Sequence, residues 1–273
     1  MSALQSSGLL TIGSSQIEYR MTGPAPDAAP TLVLLHEGLG SAGLWGDFPE
    51  RLSAATGAGV FAYSRAGYGS SSPVTLPRPL DYMHREALDV LPQVLETIGF
   101  RRGLLIGHSD GASIATIYAG GAQDHRIRGL GLIAPHFIVE DISVASIAKI
   151  RDDYEKTDLR AKLARWHKDV DNAFYGWNNA WLDPAFRDWD ISESLAYVRV
   201  PIAIVQGADD HYGTLRQIAI AESECYCPVD VEIIAGAGHT PQREAPEVTL
   251  KVVTDFVNRI LRVHGEGELG RAA

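Results

Sequence analysis

Six short runs of this chain are apolar at nearly every position: TLVLLH from Thr31, GVFAYS from Gly59, GLLIGH from Gly103, IRGLGLIA from Ile127, PIAIVQG from Pro201 and VEIIAG from Val231. A strand with one wet face alternates polar and apolar residues. Runs this uniform therefore predict strands covered on both faces, and hence a parallel sheet with helices on either side. Between the runs, apolar residues recur at helical spacing. Asp81 is placed to cap a segment with Leu88, Leu91 and Leu95 on one face, and Thr214 and Gln217 have the spacing of a capping box. Pro246 opens a segment that turns Val252, Val253, Phe256, Val257 and Ile260 inward. The alternation is βαβα. The opening LLTIGSSQIEYRMTG instead predicts an antiparallel pair turning at Gly13 to Ser15, and GPAPDAAP after it is a loop.

From about His136 to Val198 the rhythm breaks, and helical spacing and aromatics accumulate without a strand-like run. The chain thus reads as a core over residues 1–135 and 199–265, a helical insertion over 136–198, and a flexible tail over 266–273. Four of the five tryptophans, Trp166, Trp177, Trp181 and Trp189, fall in the insertion. For most of them, membership of the insertion's own small core is a simpler reading than contact with a ligand.

With 24 Lys and Arg against 34 Asp and Glu, the formal charge is −10, and no basic stripe stands out. That balance repels nucleic acid and anionic membrane rather than attracting them. Cys225 and Cys227 are separated by one residue, too close for an ordinary cross-link and too few for a zinc site, so two reduced thiols are expected. The N-terminus has no positively charged start followed by an apolar core, and no run reaches membrane-spanning length; a cytoplasmic location is the expectation.

The stretch GLLIGHSDGAS, from Gly103 to Ser113, poses the sharpest question. An apolar strand ends at Gly107, passes through His108, Ser109 and Asp110, and a helical pattern carrying Ile114, Ala115 and Tyr118 follows. A strand-to-helix turn this tight brings backbone against backbone, which makes Gly107 and Gly111 steric requirements. The bend lifts the Ser109 hydroxyl above the carboxyl end of the sheet, at a helix N-terminus that favours negative charge. Such a hydroxyl needs a base and a group to orient that base. His239 follows the last strand-like run in a loop of small residues, and Asp209 and Asp210 follow the run before it.

In the order nucleophile, acid, histidine, this arrangement resembles the α/β-hydrolase family over nearly the whole chain. The resemblance implies a mostly parallel central sheet with an N-terminal antiparallel hairpin, helices on both faces and a helical cap. It also implies catalytic roles for Ser109, Asp210 and His239, the acid being counted three residues after Gly207, with Asp209 in reserve. Two oxyanion donors follow: the amide of Asp110, and that of Gly38 in HEGLG, which is similar to the family's HGxxG segment with Glu37 where glycine is usual. Whether Glu37 makes a functional contact is left open. Arg65 to Ser71 resembles the family's RxGxGxS turn. No metal or organic cofactor is implied. His36-Glu37 does not begin a zinc HExxH motif, because Gly40 stands where the second histidine belongs. SRAGYGSSS is not a dinucleotide fingerprint either, since no helical pattern follows it.

The cap would roof the pocket with apolar rings, and Phe137, Phe174, Trp177 and Trp181 join His136 and Glu37 as candidate substrate contacts. His108 is expected to line or pack beneath the elbow, and His211 to face solvent. The reaction implied is hydrolysis of a small or medium, partly apolar acyl ester through an acyl-enzyme. Carbon–carbon bond hydrolases, lactonases and thioesterases keep the same serine and remain alternatives, as does a slow-turnover ligand receptor. Relatives with an aspartate nucleophile, the haloalkane dehalogenases and epoxide hydrolases, are disfavoured by Ser109.

Overall fold

The computed structural model describes residues 5–269. Strands β1 (Ser7–Ile12) and β2 (Ser15–Thr22) pair antiparallel about Gly13, whose φ of 57° lies in the left-handed region glycine enters at little cost. The six apolar runs form β3 (Thr31–Leu35), β4 (Gly59–Tyr63), β5 (Gly103–His108), β6 (Ile127–Ile133), β7 (Ile202–Gly207) and β8 (Val229–Ile234). One eight-stranded sheet results, in the order β1-β2-β4-β3-β5-β6-β7-β8, with every neighbouring pair from β4 onward parallel.

Strands β3, β4, β5 and β7 are buried at every position, because helices cover both faces. Leu32, Leu34, Val60, Leu104 and Ile106 pack on one side, against α1 (Phe48–Thr56) and the last helix. Val33, Leu35, Phe61 and Leu105 point to the other side, the two-residue period of a strand dividing each run between two cores. The run at β8 departs from the doubly covered reading. It is the edge strand, and Ile233 is 46% exposed there.

The segment expected to be capped by Asp81 is α2 (Tyr82–Arg85), a π turn over Glu86–Val90, and α3 (Leu91–Thr97). Asp81 makes no capping bond and instead accepts from Arg85 Nε at 2.7 Å. The π turn shifts the helical register, so Ala87, Leu91, Val94 and Leu95 face the core while Leu88 turns outward. Helix α4 (Asp110–Gly121) follows the elbow.

Between β6 and β7 lie α5 (Asp141–Lys156), α6 (Leu159–Leu163), α7 (Val170–Leu182) and α8 (Ser192–Tyr197). The ends of this segment are tied together by an isolated bridge between Ile138 and Asp190, and by the Ile191 amide donating to the Phe137 carbonyl at 2.8 Å. Helix α9 (Arg216–Glu224) does not use the expected capping box. The Gln217 amide oxygen accepts from the Phe137 backbone N–H at 2.7 Å, and its nitrogen donates to Glu140 at the same distance, so the side chain anchors the chain leaving β6.

Helix α10 (Pro241–Glu244) precedes α11 (Pro246–Leu269), whose Val253, Phe256, Val257 and Ile260 are buried, with Val252 partly so. Of the tail expected over 266–273, residues 266–269 are helical as the end of α11, and residues 270–273 lie outside the described residues. No described helix is long and apolar enough to cross a membrane. Cys225 and Cys227 carry free thiols, their sulfurs 3.1 Å apart, between α9 and β8.

Candidate active site

Ser109 joins β5 to α4 with φ 52° and ψ −119°, a strained conformation for a residue with a side chain. A Cβ on Gly107 would overlap the backbone of Gly111 and Ala112, and one on Gly111 would overlap the Leu35 carbonyl. The glycines thus allow the sharp turn, and the Ser109 amide bonded to the Ile133 carbonyl at 2.9 Å holds it.

Two loops at the same end of the sheet approach the elbow. A Cβ on Gly207 would overlap the carbonyls of Ala237 and Gly238, so the loop after β7 and the loop after β8 touch main chain to main chain. The Asp209 amide donates to the Ala237 carbonyl at 2.9 Å across this contact. His239 Nε2 lies 3.0 Å from Ser109 Oγ, and its Nδ1 lies 2.8 Å from Asp210 Oδ2. Asp210 also accepts from the Tyr212 amide at 2.7 Å and from Gln206 Nε2 at 2.9 Å. Burial pushes the Asp210 carboxyl up, but the bond from His239 and those from the Tyr212 amide and Gln206 outweigh that and hold it well below the usual range. Burial lowers His239 more than Asp210 raises it, so the ring stays neutral near pH 7 with Nε2 free to accept a proton.

The loop after β3 supplies the other side of the site. His36 is buried, its Nδ1 meeting the Glu37 carbonyl at 2.7 Å and its Nε2 accepting from the Arg65 amide at 3.1 Å. The buried Arg65 guanidinium donates to the carbonyls of His36 and Glu37, which fixes the loop from behind. Among the described residues the amides of Gly38 and Asp110 have no protein acceptor. The Asp110 side chain turns away from the elbow, accepting from the Tyr82 hydroxyl at 2.5 Å and from Trp181 Nε1 at 3.3 Å. Burial raises its carboxyl against the pull of Arg65 and these donors.

A cavity of about 200 Å³ opens onto these groups. Glu37, Gly38, Ser109, Asp110, His136 and His239 line it, and Ile147 and Ile150 of α5 with Trp177 and Trp181 of α7 close it. Trp177 lies so near the Gly38 α-carbon that a side chain there would overlap the indole. Glu37 Oε2 stands 3.4 Å from His108 Nδ1. Burial favours the neutral acid at Glu37, but His108, with His36 and Arg243 further off, holds the carboxyl below its ordinary range. Among the described residues no group of His, Cys, Asp and Glu is arranged to hold a metal ion.

A sequence model described as the alpha/beta hydrolase family matches residues 32–252. The chain belongs to that family. Membership of the alpha/beta hydrolases indicates a hydrolase. A non-heme chloroperoxidase of Streptomyces lividans is 25% identical over 277 aligned positions, covering 90% of this chain and 98% of that protein. A proline iminopeptidase of Lactobacillus delbrueckii subsp. bulgaricus is 31% identical over 121 residues, 44% of this chain and 41% of its own. The enol-lactonase of Burkholderia xenovorans LB400 superposes with a TM-score of 0.72 at 18% identity, over 91% of this chain and 99% of that one, a likeness of fold.

Within this alpha/beta hydrolase the residues singled out from the sequence fall into two groups. Ser109, Asp210, His239, Gly38, Asp110, Glu37, His136, Trp177 and Trp181 meet at or directly behind the cavity. Phe137 and Phe174 do not, which corrects the expectation that they contact substrate. Phe137 is fully buried in the core, and Phe174 stacks on Tyr154 with ring centroids 3.6 Å apart. Asp209 is exposed. His108 is wholly buried under the elbow, while His211 is exposed at the cavity's edge. Sequence reasoning missed Gln206, Tyr212, Ile147 and Ile150. For Gln206 a signal existed, since a lone amide ends an otherwise apolar strand next to the glycine that precedes the acid loop.

Proposed function

We propose that the protein is a serine hydrolase cleaving small or medium, partly apolar acyl esters through an acyl-enzyme. The observation that carries this reading is His239 standing between Ser109 Oγ and Asp210 Oδ2, within hydrogen-bond reach of both. Ser109 Oγ attacks the acyl carbon while His239 Nε2 takes its proton, and Asp210 holds the Nδ1 proton and stabilises the imidazolium. The amides of Gly38 and Asp110 receive the oxyanion. Collapse expels the alcohol, protonated by His239; water, deprotonated by the same ring, then releases the acid and frees Ser109. The helices between β6 and β7 act as a cap whose Trp177 and Trp181 exclude water from the acyl group. A small molecule in the cytoplasm is the partner in this reading.

The test is labelling with a serine-directed fluorophosphonate followed by mapping of the modified residue, with Ser109→Ala as control. Ser109 alone is expected to be modified. The variant is expected to lose on the order of 10⁶-fold in turnover of an activated ester while remaining folded. Modification elsewhere, or retained turnover in the variant, defeats the proposal.

A further inference from the structure

Among the described residues three carboxylates line the cavity, and two of them are closely held by donors. Glu244 accepts from the amides of Gly238 and Thr240 and from the Thr240 hydroxyl, at 2.6, 2.9 and 2.6 Å. Asp110 is held by Tyr82 and Trp181. The Glu37 carboxylate is held more loosely, its close partner being shared. Its nearest polar neighbour, His108 Nδ1 at 3.4 Å, is already engaged by Gln242 Nε2 at 3.0 Å. The other ring nitrogen, Nε2, faces the His239 carbonyl at 2.8 Å, and a carbonyl only accepts.

Among the described residues no lysine or arginine lines the cavity to compensate. Arg65 is spent on main-chain carbonyls behind the loop, and Arg243 donates to the Leu44 carbonyl at 2.6 Å. Gly40 leaves the room the carboxylate occupies, since a Cβ there would overlap Glu37 Oε2. Besides Gly38, Ser109, Thr240 and the histidines, the rest of the wall is aliphatic or aromatic, with Trp177, Trp181 and Tyr212 among it. A carboxylate held at 3.4 Å by one shared ring, beside aromatic faces, is a site for a cation, which gains from both.

Building on the serine-hydrolase reading above, we propose that Glu37 receives a protonated amine of the substrate. The preferred substrates are then small esters whose acyl part carries an ammonium group near the scissile carbonyl, and acyl groups ending in a carboxylate are rejected by like charge.

The experiment follows hydrolysis of three ethyl esters of similar size by pH-stat at pH 7, for the wild type and for Glu37→Gln. They are β-alanine ethyl ester (cationic), ethyl butyrate (neutral) and monoethyl succinate (anionic). Fluorophosphonate labelling of Ser109 is measured in parallel in both proteins. The wild type is expected to favour the β-alanine ester over the butyrate ester in kcat/KM by on the order of 10- to 100-fold, the range for a charge-assisted hydrogen bond, and to disfavour the succinate ester. In Glu37→Gln the ratio between cationic and neutral esters is expected to approach unity. No cationic preference in the wild type overturns the assignment. So does a proportional loss on all three esters in the variant, which would mean that Glu37 acts through His108. Labelled Ser109 with none of the three esters hydrolysed also counts against the ammonium site. Failure of Ser109 to label is instead the failure of the serine-hydrolase reading, and the inference falls with it.

Discussion

His108 Nε2 lies 2.8 Å from the main-chain carbonyl of His239. The residue before the proposed nucleophile thereby holds the backbone of the residue proposed as its base, although 131 positions separate them in sequence. That link adds to the Glu244 bonds, the Asp209 amide on the Ala237 carbonyl and the Asp210 contact in setting the 3.0 Å separation of Ser109 Oγ from His239 Nε2. His108→Asn, whose shorter amide does not span the gap, is expected to lower kcat by on the order of 10²-fold with KM little changed. Steady-state kinetics on an activated ester, with folding verified by circular dichroism, tests this. A rise in KM at constant kcat would place His108 in binding instead.

Asp210 and Asp209 are neighbours with opposite surroundings. Asp210 is engaged by His239, Gln206 and the Tyr212 amide, whereas Asp209 is exposed. Asp210→Asn removes the acceptor that orients the imidazole tautomer and is expected to cost about 10⁴-fold in kcat. Asp209→Asn is expected to stay within about twofold of the wild type, as an exposed substitution away from reacting groups does. Parallel measurement of kcat/KM for the two variants decides the register of the acid. Impairment of only the second would show it to be wrong by one.

The pH dependence follows from the sign of the His239 shift. Burial disfavours the charged imidazolium, Asp210 opposes it, and the net is a pKa below 6.5. A base works only when unprotonated, so kcat/KM should be full at neutral pH and fall as acid protonates the ring. The midpoint of that acid limb should therefore lie below 6.5 in the free enzyme. A pH–rate profile with substrate well below KM measures it, and a midpoint above 6.5 would contradict the buried, neutral imidazole.

How much of this was legible in the sequence depended on whether local chemistry or distant packing placed each residue. Ser109 and its glycines declare themselves because a strand-to-helix bend admits few residue types. The segments at 210 and 239 follow from the strands they terminate. Gln217 misled because its capping spacing is local, while its real partners, the Phe137 amide and Glu140, lie some eighty residues away in the chain. Leu88 misled because a π turn breaks the period on which helical patterns rely. The aromatics between β6 and β7 were the least readable. Phe174 and Trp177 sit three residues apart on α7, yet one stacks on Tyr154 of α5 and the other covers Gly38, a division set by how the two helices pack.

His136 yields a prediction about stability rather than turnover. Its ring is buried edge-on to Trp181, with centroids 5.3 Å apart, and 5.4 Å from His239, and among the described residues its Nδ1 has no hydrogen-bond partner. Burial first, and then His239, lowers its pKa from 6.5 to about 3. In the unfolded chain the ring takes up a proton near pH 6.5, while in the folded protein it does not until about pH 3. The unfolded state thus binds the extra proton throughout that window, so the stability of the native state falls as pH drops through it. For this one group the slope is about 1.4 kcal/mol per pH unit. Urea unfolding measured between pH 7 and pH 4 should show a shallower acid dependence for His136→Gln than for the wild type, by about that amount, whatever the substitution does to stability at pH 7. Equal slopes would mean that the native ring protonates as readily as the unfolded one.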